Sequence, residues 1–182
     1  VVLPTGSAVY PAGSAGVGVD GGATITDENT TNYNGTTLVV TLTANGTAND
    51  RLEVRNTGAG AGQIGVAGNT VSYEGVAIAT TSGGTGLTAL TVSFNANANP
   101  VKAQALLQSV IFRNVSGAPS TATRSVSAVV THPDNGFGSA STTVQVGALT
   151  VSVFQQNVDS GYGIYTDALD CEIAKNQPFD NW

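Results

Sequence analysis

The chain is poor in the residues that most chemistry relies on. Its 182 residues include one Cys, one His, one Trp and no Met, and only 10% are charged. A lone Cys171 cannot form an internal disulfide, and without a CxxC pair or a Cys/His cluster there is no zinc or iron–sulfur signature. Six Lys plus Arg against twelve Asp plus Glu give a formal charge of -6. Such a surface has nothing to neutralise phosphates, so nucleic acid is excluded as a partner. No apolar run approaches the ~20 residues of a membrane-spanning helix, and no basic segment followed by an apolar one marks a signal peptide at the N-terminus. A first residue that is Val rather than Met is expected of a processed or excised chain. Good helix formers are scarce as well, which disfavours long helices.

What is present is Gly, Thr, Ser, Asn and Val, with 41% hydrophobic residues, enough for a folded core. Residues 37–43 alternate Leu38, Val40 and Leu42 with Thr and stop at Asn45-Gly46, a half-buried strand before a preferred turn dipeptide. Residues 51–55 alternate charge and aliphatic, placing Leu52 and Val54 on one face. Further runs at 63–66, 70–73, 76–79, 87–94, 110–113, 123–130 and 141–154 predict short strands at regular spacing. The expected fold is all-β, an antiparallel sandwich with its core on Leu38, Val40, Leu42, Leu52, Val54, Leu90, Val92, Phe94, Leu106, Ile111, Val126, Ala128 and Val130. One helix interrupts the pattern near 100–108. Asn99 is a good N-cap and Pro100 suits the first turn, with Val101, Ala105 and Leu106 expected on its inner face. The domain organisation expected is an N-terminal extended segment or first strand over 1–22, a sandwich over 23–150, and a tail or the start of a second domain over 151–182.

Residues 97–116, with Pro119-Ser120-Thr121-Ala122-Thr123-Arg124, resemble the cadherin-like and immunoglobulin-like tandem repeats of large bacterial surface and secreted proteins. There a short helix leads into a strand, a loop of this type and a final strand. The likeness extends over residues 15–147, through Val19-Asp20, Thr26-Asp27-Glu28-Asn29 and residues 45–52. It implies an extracellular or cell-surface module that spaces or adheres, with calcium as the cofactor and other copies or neighbouring repeats as partners. Calcium needs six to eight oxygens from loops that the fold brings together. The candidates are Asp27, Glu28, Asn29, Asp50, Asp134 and Asn135; the competing reading is that loop Asp and Asn cap their own turns. A second acidic group, Asp159, Asp167, Asp170, Glu172 and Asp180, is expected to be a solvated tail.

Residues 153–158, with Gly161-Tyr162 and Thr166-Asp167, are similar to the opening strand of carbohydrate-associated β-domains at the C-terminal end of secreted proteins. That similarity implies surface glycan as a partner, with Tyr162, Tyr165, Phe179 and Trp182 forming either a sugar-stacking platform or the core of a second domain. His132 reads as a turn histidine without a partner, and no Gly-x-Ser-x-Gly elbow supports a serine hydrolase. Residues 58–62 and 83–86, rich in Gly, read as flexible hairpin loops rather than phosphate cradles. The chain is therefore expected to be no enzyme but a structural or adhesive module. Its tail, from Val144 onward, could add as a strand to the sheet edge of a neighbouring molecule.

Overall fold

A computed structural model describes residues 1–4, 6–27, 30–134 and 136–147, together with the backbone of 153–155 and 164–166. The chain divides into two compact units, Val1–Ala148 and Leu149–Trp182. In the first, the strands are β1 (Ser7–Pro11), β2 (Val17–Gly18), β3 (Thr37–Ala44), β4 (Asp50–Val54), β5 (Ile64–Ala67), β6 (Thr70–Tyr73), β7 (Val76–Gly83) and β8 (Leu90–Phe94). Helix α1 (Pro100–Gln108) follows, and then β9 (Val110–Asn114), β10 (Arg124–Thr131) and β11 (Phe137–Gly147). Eight strands form one sheet in the order β1-β11-β10-β3-β8-β7-β6-β5, and β2-β9-β4 form a second. The all-β sandwich-like fold with one short helix is thus observed. It needs one amendment, because β1 runs parallel to β11 and makes the large sheet mixed.

Alternation of side chains explains which faces meet. In β10, Arg124, Val126, Ala128 and Val130 point inward, and Leu38 and Val40 of β3 lie on the same face. Leu52 of β4, Val110 and Phe112 of β9 and Leu90, Val92 and Phe94 of β8 complete the central layer. Leu42 and Val54, expected at its centre, are only partly buried against it. Tyr10 is fully buried, its ring edge-on to Phe112 at 5.3 Å. Its hydroxyl donates to the Asn114 carbonyl at 3.0 Å, tying β1 in the large sheet to β9 in the small one.

The helix starts as its residues require. The Asn99 side chain accepts from the Lys102 N–H at 2.9 Å, and Pro100 occupies the first turn. Its buried side chains, however, are Ala103, Leu106 and Leu107, while Val101 is 67% exposed. The inner stripe is therefore phased on 103, 106 and 107, and Val101, expected inside, falls off it. The glycine segments also differ from expectation. Gly84, at φ +78, would bring a Cβ to 2.2 Å from the Leu52 carbonyl oxygen, and that close approach lets the Leu52 N–H donate to the Gly84 carbonyl at 2.9 Å. Residues 83–86 thus join the β7–β8 hairpin to β4 rather than forming a free loop. Residues 58–62 connect the two sheets, with Gly60 N–H donating to Gln63 and Gly62 N–H to Glu74.

Of the strand expected over 141–154, residues up to Gly147 belong to β11 and residues 148–152 lie outside the described residues. Val144–Gly147 is taken up inside the sandwich, where Val144 sits opposite Arg124 on one side and Ala8 on the other, so those residues are not an extensible tail. In the second unit, β12 (Val153–Gln155) pairs antiparallel with β13 (Ile164–Thr166). Tyr162, Phe179, Trp182 and the acidic group of Asp159, Asp167, Asp170, Glu172 and Asp180 lie outside the described residues.

A buried ionic cluster joins the two sheets. Asp50, on β4, and Arg124, on β10, are both fully buried, with the Arg124 Nε 3.2 Å from Asp50 Oδ2. Asp50 also accepts from the Thr47 N–H at 2.7 Å and from the Asn114 side-chain amide. Arg124 Nη1 donates to the carbonyls of Ser120, at 2.9 Å, and Ala122. Every charge is thus compensated by several partners, which a buried pair requires. Arg124→Met leaves the Asp50 carboxylate uncompensated and should cost about 3–5 kcal/mol in urea unfolding. An Arg124→Met/Asp50→Leu double variant should recover part of the loss. A single variant within about 1 kcal/mol of the parent would refute this role.

Candidate functional site

The register of β3 against β10 sets Thr37 opposite Thr131 at one end and Ala44 opposite Ser125 at the other. Residues 33–36 and 132–134 therefore share one end of the sandwich, and residues 45–50 and 120–124 share the other. At ~3.3 Å per strand residue the two ends are about 20 Å apart. The calcium candidates divide accordingly. Asp27 and Asp134 belong to the first end, whereas Asp50 belongs to the second and is committed to Arg124. Glu28, Asn29 and Asn135 lie outside the described residues. Among the described residues no three Asp, Glu, His or Cys side chains converge as a metal group.

The first end holds an open cleft of about 380 Å³, lined among others by Asp27, Tyr33, His132 and Phe137. Tyr33 is placed there by the chain turning into β3. Its N–H donates to Ala98 and its ring stacks edge-on to Phe94 at 6.1 Å. Its hydroxyl donates to Asp27 Oδ2 at 3.4 Å, and Asp27 Oδ1 accepts from the Thr30 N–H at 3.1 Å. Burial, reinforced by the charge and hydrogen bond of Asp27, pushes the Tyr33 phenol up to about 12.

His132, expected without a partner, has two. Its Nδ1 accepts from the Asp134 N–H at 3.3 Å and its Nε2 lies 3.4 Å from the Asn32 carbonyl, an arrangement that fits the tautomer protonated at Nε2. The ring closes the turn between β10 and β11. Phe137 is 78% exposed at the rim of the cleft. That exposure was not read from the sequence, although a lone aromatic opening a strand after Asn135-Gly136 is its signal. Elsewhere on the surface, hydrogen bonds from Arg113 hold the Glu53 carboxyl below the usual carboxylate range, through a bidentate contact at 2.7 and 2.8 Å.

No known protein family, curated protein or solved structure matches the chain.

Because the native phenol of Tyr33 titrates above its ordinary value of 10.0, ionisation favours the unfolded chain. Its contribution to stability is complete below pH 10 and is lost as pH rises to about 12. Denaturant midpoints followed across that window should fall in the parent and fall less steeply in Tyr33→Phe. Equal slopes would show that Tyr33 is not the group responsible.

Proposed function

We propose that this chain is a non-catalytic structural and adhesive module of a secreted or cell-surface protein, joined end to end with neighbouring modules and carrying tension between them. One observation supports this reading above others. Val1 lines the cleft at the Tyr33 end, β1 and β11 then run parallel toward the Asp50 end, and β11 reaches it at Gly147. Force applied before β1 and after β11 therefore pulls the two strands past each other along their length. Their five facing residue pairs, Ser7–Thr143 to Pro11–Gly147, are loaded together rather than one at a time. A hairpin pulled from its two ends would instead open pair by pair. The absence of charge from β1 and β11 and the sandwich itself agree with a spacer.

Pulled from both sides in a single-molecule force experiment, the first unit should unfold in one step, lengthening by roughly 450–500 Å for about 140 released residues. In a parallel strand alternate N–H groups face the same neighbour, so one of Ala8→Pro and Val9→Pro removes a β1–β11 hydrogen bond. That variant should unfold at clearly lower force. Gradual extension of the parent at low force would end the tension reading.

Calcium enters as a ligand of the Tyr33 end. Asp27 and Asp134 are hard oxygen donors there, and Glu28, Asn29 and Asn135 adjoin them in sequence. A ligand held only by the folded state raises its melting temperature by mass action. Melting should rise in millimolar calcium relative to chelator, and coincident curves would remove calcium from the proposal.

A further inference from the structure

The chain closes most of its own sheet edges. On β5, the Thr57 N–H donates to the Ile64 carbonyl at 2.7 Å, the Ile64 N–H donates to the Thr57 hydroxyl at 2.9 Å, and Asn56 Nδ2 donates to the Val66 carbonyl. On β4, Leu52 bonds Gly84 and the Gly86 N–H donates to the Asp50 carbonyl at 2.8 Å. The β2 strand is two residues long. That leaves β1, which pairs with β11 on one side and, among the described residues, with no strand on the other. Open edges of this kind are templates for another strand, and proteins normally blunt them with charge. Here the opposite holds: residues 1–19 contain no charged side chain, in a chain of net charge -6, and Val9 at the middle of β1 is 55% exposed.

Beside this edge runs a shallow groove of about 320 Å³, walled by Pro4, Gly6 and Ala8 on one side and by Gly18, Asp20 and Gly22 on the other. Glycine walls admit close approach of a backbone. Asp20 Oδ1 accepts from the Gly22 N–H at 2.9 Å, but its Oδ2 is buried with no hydrogen-bond partner.

We propose that β1 joins a second copy of this chain, β1 against β1 in antiparallel two-fold pairing. One neutral strand then serves both molecules, and two acidic chains meet where neither carries charge. Antiparallel register brings the partner's Pro11-Ala12-Gly13 turn over the groove. The side chains there are small, so the partner's turn approaches the glycine wall closely. The Val9 side chains of the two copies face one another or lie diagonally, as cross-strand pairs do. Five residues a side bury little, so the association is weak and depends on concentration. It is separable from the tension reading, which is measured on one molecule.

The test is sedimentation of the whole chain from about 10 µM to about 1 mM, with amide exchange at both limits. The expected result is a monomer–dimer equilibrium in which the alternate amides of residues 7–10 that face away from β11 exchange more slowly as concentration rises. Val9→Lys should weaken association roughly tenfold or more. Val9→Thr, which keeps the edge neutral, and Val76→Lys, on a different strand, should associate like the parent. A monomer at every concentration, a dimer indifferent to Val9→Lys when Val9→Thr folds normally, or concentration-dependent protection confined to other residues, those of 149–182 included, would each overturn the proposal.

Discussion

The contact on which the sandwich depends is the buried pair of Asp50 and Arg124. Most of the core is Val, Ala and Leu, side chains that pack against one another in many relative positions of two sheets at similar energy. A buried carboxylate facing a guanidinium tolerates no such freedom, because a shift of either sheet leaves one charge without its partner. Asp50 also receives Asn114 from β9 and the Thr47 N–H of its own turn, so three strands, β4, β9 and β10, must arrive together before it is satisfied. The pair therefore selects one docking of the sheets. Its worth lies in that selection more than in net stabilisation, since an apolar replacement of both partners is often as stable.

Both residues were legible in the sequence, had alternation been followed through the charges. Arg124 is in phase with Val126, Ala128 and Val130, and Asp50 is in phase with Leu52, so period two alone assigns each to the inner face. Reading Asp50 as a loop oxygen for calcium, and charge in general as solvent-facing, obscured this. The strands and the helix start were readable because each is fixed by neighbours within a few residues: Leu38 and Val40 by alternation, Pro100 by the cap of Asn99. The parallel β1 was not, since residues 7–11 carry no strong strand pattern of their own and are held by β11, more than 130 residues away. The phase of the helix was not either. Val101 and Leu107 are equally apolar, and only the position of the segment at 23–25, where Gln108 and Gln104 bond the Ala23 carbonyl and the Ile25 N–H, decides which turns inward.

The candidate site divides along the same line. Asp27 and Asp134 were picked for their residue type, and they do share an end of the sandwich because β3 and β10 are neighbours in antiparallel register. Tyr33 and Phe137 were missed, because a lone tyrosine and a lone phenylalanine beside turns carry no local signature of their surroundings. What distinguishes them is tertiary: one ring is buried against Phe94 with its hydroxyl on Asp27, and the other stands in solvent at the same cleft.

The ionic cluster and the two parallel strands are not independent features. Starting at β1, the Tyr10 hydroxyl holds the Asn114 carbonyl, the Asn114 amide holds Asp50, and Asp50 holds Arg124. Arg124 faces Val144 of β11, which in turn faces Ala8 of β1. These contacts close a ring through both sheets that begins and ends on the strands that tension would pull apart. Sliding β1 along β11 drags the Tyr10 hydroxyl from Asn114 and exposes the cluster behind it, so shear of one strand pair is resisted by buried charge as well as by the ladder. The outward edge of β1 takes no part in that ring. The same strand can therefore resist sliding on one side while, among the described residues, no strand pairs with it on the other.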